Sequence, residues 1–256
     1  MLSSFPADSR ALVQGASRGI GLEFVRQLLA EPQIGRLFAT CRAPDQAGEL
    51  AALANDDPRL SVVALDATRE ESIARAADQV AAGTDRLHLV VNCAGILHGG
   101  PAAIAPEKRL ADVRPEALVA SFAVNAIGPL LLAKHLERLL AHRERAVFAS
   151  ISARVGSISD NRLGGWYAYR GAKAAQNMFT RTLAIEWARS RRNVVCVALH
   201  PGTTDTDLSR PFQGNVPAEK LFPVERTVRQ LLDVIDHLGP ADTGRFLAWD
   251  GREIPW

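Results

Sequence analysis

Seven short apolar runs recur along the chain, at residues 10–14, 36–41, 60–65, 87–92, 146–151, 194–199 and 245–249. They are separated by longer stretches with helical spacing, such as 19–30, where Ile20, Phe24 and Leu28 share one face, and the Ala- and Glu-rich segment 69–82. The runs are mostly apolar rather than alternating, which suits strands covered on both faces. Strand and helix in strict succession predict an α/β fold: a doubly wound parallel sheet of about seven strands with helices on both faces. The 256 residues contain no internal repeat, low-complexity segment or linker, so residues 1–256 are expected to form a single domain.

Three segments break the regular pattern. Residues 115–141 are helix-like but contain Gly128-Pro129, where a proline predicts a kink or break. Residues 96–114 have little periodicity and are expected to form a loop with short turns. Residues 203–224 carry three prolines among apolar side chains and are expected to form a mobile flap.

Composition excludes several classes of function. Apolar residues make up 47% and charged residues 23%, as in an ordinary soluble globular protein. A net charge of +2 gives no electrostatic case for nucleic-acid binding. No apolar run in the sequence approaches the roughly 20 residues that span a bilayer, so no membrane contact is expected. The first residues lack a basic region followed by an apolar stretch, so no secretory signal is expected. Cys41, Cys93 and Cys196 are widely spaced in apolar runs, without any CxxC or HxxxH pattern. They read as reduced thiols of a cytoplasmic protein, with no metal site.

The first apolar run leads into Gly15-Ala16-Ser17-Arg18-Gly19-Ile20-Gly21, just before a predicted helix. Glycines there allow a tight turn and close backbone approach to phosphate, and the helix start offers free N–H groups. The spacing is not GxGxxG, and a plain strand-to-helix turn is the alternative. In an NAD site an acid is expected about 20 positions after the glycines. Cys41 stands 20 after Gly21 and is followed by Arg42; no acid occurs between positions 36 and 44. Arg42 can pair with a 2′-phosphate bidentately and Arg18 can add a second cation. Either arginine alone reads as a solvated surface charge, but together with the missing acid they point to NADP(H) over NAD(H).

Tyr169 and Lys173 are four residues apart in Tyr-Arg-Gly-Ala-Lys. On a helix they share a face, and a cation there favours the phenolate. A tunable proton donor beside a dinucleotide site suggests hydride transfer to a carbonyl, although a chance surface pair shows the same spacing.

With these motifs in order, the chain resembles the short-chain dehydrogenase/reductase family over nearly its whole length. The matching elements are Gly15-x3-Gly19-x-Gly21, Asp66, Asn92-Cys93-Ala94-Gly95, Asn125, Tyr169-x3-Lys173 and His200-Pro201-Gly202. Gly156-Ser157-Ile158, residues 161–170 and the ending 248–256 resemble the C-factor and sniffer-type carbonyl reductase branch. The resemblance implies a Rossmann-like fold and the catalytic residues Asn125, Tyr169 and Lys173, to which Ser152 is added as the nearest serine to the family's serine position. Asn125 would support a water chain to Lys173. It implies cofactor contacts from Gly15, Ser17, Arg18, Gly19, Ile20 and Gly21, from Arg42, Asp66 and Ala67, and from Asn92, Ala94 and Gly95. Tyr169, Lys173, Pro201, Gly202, Thr203 and Thr206 complete that set, with Asp66 capping the adenine. Alternatively, Asp66 caps the following helix and Asn125 stabilises the kink at Gly128-Pro129.

Three positions depart from the family pattern. Gln14 stands where threonine is usual, and Cys93 replaces an asparagine. The family's Ser-Ser-x-x-Gly, aligned on Gly156, reads Ser152-Ala153-Arg154-Val155-Gly156, so the serine that would bond the substrate is Ala153. Ser152, if the strand end bulges to turn it inward, Ser157, or no serine at all could serve, and Ser152 is the preferred candidate.

Leu97, Trp166, Leu208, Phe212, Val216, Leu221 and Phe222 are candidate walls of an apolar pocket for a hydrophobic ketone, aldehyde or quinone. No cation is evident to hold a substrate carboxylate. His98 and His200 flank the region and read as surface histidines. An NADP(H)-binding signalling protein with little turnover is the alternative to an enzyme. The apolar residues of 130–140 and of the helix carrying Tyr169 predict a homodimer or homotetramer, by the family's pairing of these helices about a two-fold axis.

Overall fold

The computed structural model describes residues 2–190 and 193–256. Seven parallel strands form the central sheet: β1 (Ser9–Gln14), β2 (Ile34–Cys41), β3 (Leu60–Ala64), β4 (Leu89–Asn92), β5 (Ala146–Ile151), β6 (Val194–His200) and β9 (Phe246–Ala248). Their order across the sheet is β3-β2-β1-β4-β5-β6-β9. Chain direction across the sheet reverses between β1 and β4, and ligand sites of open α/β sheets lie in that crevice at the carboxyl ends. Two further short strands, β7 (Thr203–Thr204) and β8 (Leu221–Phe222), pair only with each other.

Helices α1 (Gly19–Leu29), α2 (Gly48–Asp56) and α7 (Val224–His237) cover one face. Leu22, Val25 and Leu28 meet Val228, Leu231 and Ile235 over Ala11, Val13 and Val91. Helices α3 (Glu70–Gly83), α5 (Gly128–Leu140) and α6 (Tyr167–Arg189) cover the other, where Ile73, Val80, Leu132, Leu136 and Trp187 pack on Leu12, Val90 and Phe148. Neighbouring strand residues alternate between these two cores, so the strands are apolar at most positions rather than at every second one. All six residues of β5 are buried.

Helix α4 (Pro115–Phe122) runs into a π turn, Ala123–Ile127, and then into α5. The expected break at Gly128-Pro129 is therefore a local widening; Ile127 and Gly128 keep helical dihedrals. Pro129 has no N–H to offer the Asn125 carbonyl four positions back, and a wider turn relieves the ring clash. The joined helix Pro115–Leu140 has 26 residues and is long and apolar enough to cross a membrane by length and composition. That corrects the reading from uninterrupted apolar runs. Here the apolar face of α5 lies on the sheet, with Leu132, Ala133, Leu136 and Leu140 in the core.

Residues 96–114 form a loop with a Gly99–Ile104 bridge and a short 3-10 turn, Leu110–Asp112. Residues 203–224 are structured as the β7–β8 ladder enclosing two 3-10 turns, Arg210–Asn215 and Ala218–Lys220.

Candidate active site

The glycine loop leaves β1 and folds back over β2. Gly15 N and Ala16 N both donate to Thr40 O, at 3.0 and 2.9 Å. Gly15 has a φ of +82°, and a Cβ on it would lie 2.7 Å from Ala94 N. A Cβ on Gly21 would lie 2.2 Å from Gly15 O, so α1 starts in direct contact with the loop. No side chain caps α1, and its first-turn amides keep their capacity for an anion. Gln14 ties the ends of β1 and β4 together, its Oε1 accepting from Ala94 N at 3.2 Å.

Arg42 follows β2 directly and is exposed; its side chain has no hydrogen bond or ion pair among the described residues, and neither does that of Arg18. Asp66 lies across from Arg42. Burial works to raise its carboxyl pKa, but bonds from Thr68 N–H and hydroxyl, with Arg42 and Arg69 nearby, hold it below the usual value. Asp66 is not the cap of α3, whose N-cap is Arg69.

Tyr169 and Lys173 sit one turn apart on α6, both buried. Lys173 Nζ is 5.8 Å from the centre of the Tyr169 ring. It donates to Ile151 O at 2.8 Å and to Gln176 Oε1 at 2.9 Å. Burial pulls the Lys173 pKa from 10.5 to about 7, opposed by the neighbouring Cys93 thiol. Burial also pushes the Tyr169 phenol upward. The expectation that Lys173 depresses the tyrosine is thus outweighed by desolvation: Tyr169 is held protonated, as a proton donor requires.

Asn125, in the π turn, is fully buried. Its Nδ2 donates to Ile96 O at 2.8 Å and its Oδ1 accepts from Ile96 N at 3.0 Å. The side chain clamps the loop after β4, so Asn92, Ala94 and Gly95 are fixed beside the glycine turn. Ser152 Oγ donates to Asn177 Oδ1 at 2.6 Å, and both residues are buried. Ser157 Oγ donates to Pro255 O, beneath the 249–256 segment. The protons of both candidate serines are thus directed at protein acceptors, while Ala153 lines the cavity.

That cavity, of about 1040 Å³, runs from the glycine loop past Tyr169 to the mouth between residues 96–100 and 206–216. Gly15, Ser17, Arg18, Gly19, Ile20, Gly21, Arg42, Asp66 and Ala67 line one part, with Ala94 and Gly95. Ser152, Tyr169, Lys173, Pro201, Gly202, Thr203 and Thr206 line the other. Asn92 and Asn125 stand behind the wall rather than in it. Aromatic rings form the mouth: Trp166 lies 6.3 Å from Tyr169 and 4.9 Å from Phe212, which meets His98 at 5.9 Å. Leu97, Leu208 and Val216 complete it. Leu221 and Phe222 are not part of it; Phe222 packs on Trp249 at 4.9 Å, and Trp256 stacks on Phe246. Arg154 and Arg162 do reach the mouth, contrary to the expectation of no cation there, although Arg154 is paired with Asp160 at 3.0 Å. His200 accepts from Arg154 N, and burial, aided by Arg154, lowers its pKa to about 4 against the pull of Asp250, so it is neutral.

Residues 9–216 match the family model of the short chain dehydrogenases, covering the glycine loop, the Tyr–Lys pair and the wall between them. The chain belongs to the short-chain dehydrogenase family. Like its relatives in that family, it is an oxidoreductase. The NADPH-bound carbonyl reductase from chicken fatty liver superposes with a TM-score of 0.88 at 32% identity, over 98% of this chain and 95% of that one. The carbonyl reductase Sniffer of Drosophila melanogaster gives 0.85 at 29% identity, over 98% of this chain and all of the other. The C-signal of Myxococcus xanthus is 35% identical over 147 residues, 57% of this chain and 83% of the relative.

Two features of this dehydrogenase's site were not legible in its motifs. Glu107, 3% exposed, reaches from the 96–114 loop to the start of α6. Its Oε2 accepts from Ala168 N at 3.2 Å and its backbone carbonyl from Trp166 N at 2.6 Å. A carboxylate at a helix N-terminus offsets the orphan amides and the dipole there. This anchors the turn carrying Tyr169 and holds Trp166 in the left-handed conformation, φ +52°. The second feature is Gln176, the side-chain acceptor of the Lys173 ammonium. At the other end of the sheet, His88, His142 and Glu144 lie together. His88 Nδ1 accepts from Arg10 N at 3.0 Å, so its proton is on Nε2, facing Glu144 at 2.6 Å, and that nitrogen has no lone pair for a metal.

Proposed function

We propose that this dehydrogenase is an NADPH-dependent reductase of ketones, aldehydes or quinones, with Tyr169 as general acid assisted by Lys173. The supporting observation is one continuous cavity that joins the glycine loop and Arg42 to the Tyr–Lys pair. The residues suit a dinucleotide: Gly15 and Gly21 stand where a Cβ would collide with backbone, beside uncapped helical amides. Arg18 and Arg42 would hold a 2′-phosphate, Asp66 and Ala67 the adenine side, and Pro201, Gly202, Thr203 and Thr206 the nicotinamide side. A bound dinucleotide supplies the hydride. The chain's own part is to present the Tyr169 proton to the carbonyl oxygen, keep the Lys173 ammonium behind it, and exclude water with the Trp166–Phe212 wall. That wall favours a hydrophobic substrate. NADPH absorbance, followed over a panel of such carbonyls, tests the reading.

Arg42→Ala is expected to weaken NADPH binding by about 1–3 kcal/mol, the loss of a charge-assisted hydrogen bond, and to leave NADH little changed. Titration of both cofactors checks it; equal affinities in the unaltered protein would refute the NADP(H) preference.

A second reading, an NADP(H)-binding signalling protein of C-factor type, draws on Ala153 and on the similarity to the C-signal. Turnover on any carbonyl that is lost in Tyr169→Phe separates the two. The three free cysteines, two of them buried, suit a reducing cytoplasm.

Self-association belongs to the same reading, on a corrected surface. Leu132, Leu136, Leu139 and Leu140 are buried in the core and free for no partner. On these helices the large apolar residues that stay exposed are Val119 and Ile127, on α4 and the π turn, and Tyr167, Met178 and Ile185 on α6; Leu110, Ile158 and Leu163 are exposed on loops and turns elsewhere. We expect an isologous contact there. Light scattering should exceed the 27.6 kDa of one chain at micromolar concentration; that mass alone would exclude a stable oligomer.

A further inference from the structure

Lys173 is gripped by one backbone carbonyl, Ile151 O, and by one side chain, Gln176. Gln176 is 1% exposed and Lys173 2%, so neither bond is shared with solvent. Keeping glutamine at this place is unfavourable in itself, since its Nε2 is buried without an acceptor. An apolar side chain would avoid that penalty, so the Oε1 bond to Lys173 must matter. The titratable groups facing Lys173 are Cys93, just after β4, and Tyr169 from its own helix, and no carboxylate is paired with it. A neutral amide therefore does what a counter-ion would otherwise do, without locking the charge. Its oxygen accepts from the ammonium, and the amide turned over would donate to the free amine.

We propose that Gln176 is a positioning residue that holds the Lys173 ammonium behind Tyr169 and sets the pH at which that charge is lost. The catalytic consequence rests on the carbonyl-reductase reading; the titration of Lys173 does not. Burial has brought Lys173 to about 7, so a change in either of its two acceptor bonds alters its charge at neutral pH. Removing the acceptor disfavours the ammonium and lowers the midpoint. A carboxylate in its place favours the ammonium and raises it.

The chain has four lysines, and Lys108, Lys134 and Lys220 are exposed, so selective 13Cε labelling, with Lys173→Arg for assignment, follows the buried Lys173 separately. In Gln176→Met the Lys173 midpoint should fall by about one pH unit, a tenfold change in acidity of the size of a charged hydrogen bond. In Gln176→Glu it should rise. The alkaline limb of the kcat profile should move in the same directions, with KM for the carbonyl little altered. Midpoints that match the unaltered protein in a folded variant would overturn the proposal and make Gln176 a packing residue. If Gln176→Met does not fold, Gln176→Glu decides by its direction. If the unaltered protein reduces no carbonyl, the functional reading fails, while the NMR midpoints still judge Gln176.

Discussion

Tyr169→Phe should lower kcat for carbonyl reduction by about 10²–10⁴-fold while NADPH still binds. Phenylalanine keeps the ring that packs at 6.3 Å from Trp166 and removes only the hydroxyl. The phenol is held protonated by burial, and the ammonium one turn away is ready to offset the developing phenolate. The sign with pH follows from Lys173. Its charge is present below about 7 and is lost as pH rises through that value, so turnover should fall on the alkaline side. Ser152→Ala provides the contrast. Its hydroxyl proton points to Asn177, so the expected loss is about 0.5–1.5 kcal/mol of stability rather than of chemistry. A drop of about 10²–10³ in kcat, typical of a lost oxyanion donor, would show that Ser152 turns to the substrate instead. Retained turnover in Tyr169→Phe would remove Tyr169 from the mechanism altogether.

Gly21→Ala should cut NADPH affinity by tenfold or more, about 1.4 kcal/mol, as measured by titration. Intrinsic propensity argues the other way, since alanine improves a helix by about 1 kcal/mol over glycine. The added Cβ, however, would lie 2.2 Å from Gly15 O and 2.9 Å from Gly15 C. Backbone must move, and the atoms that move are those of the turn offered to the phosphates. Gly48→Ala is the control, because nothing lies within 4 Å of a Cβ there. Unchanged NADPH affinity in Gly21→Ala would show that the loop does not cradle the dinucleotide.

Much of the molecule follows from local pattern alone. The apolar runs at 10–14 and 146–151 became β1 and β5 because a strand buried on both faces admits no polar alternation. The helix after Gly19 and the shared face of Tyr169 and Lys173 follow from a repeat of 3.6 residues. The missing acid after β2 needed only counting, because strand and loop lengths set where that position falls. Tertiary structure decided what depends on partners distant along the chain. Ser152 and Ser157 are both serines beside the site, but the hydroxyl of one is turned to Asn177 and that of the other to Pro255. Leu132 and Leu136 have the same composition as an interface stripe, yet the sheet rather than a second chain covers them. Glu107 meets Ala168 from 61 positions away, and no periodicity relates them. Periodicity fixes which way a side chain points from its own element; only packing fixes what stands opposite, and for a buried polar group that partner sets both its charge and its role.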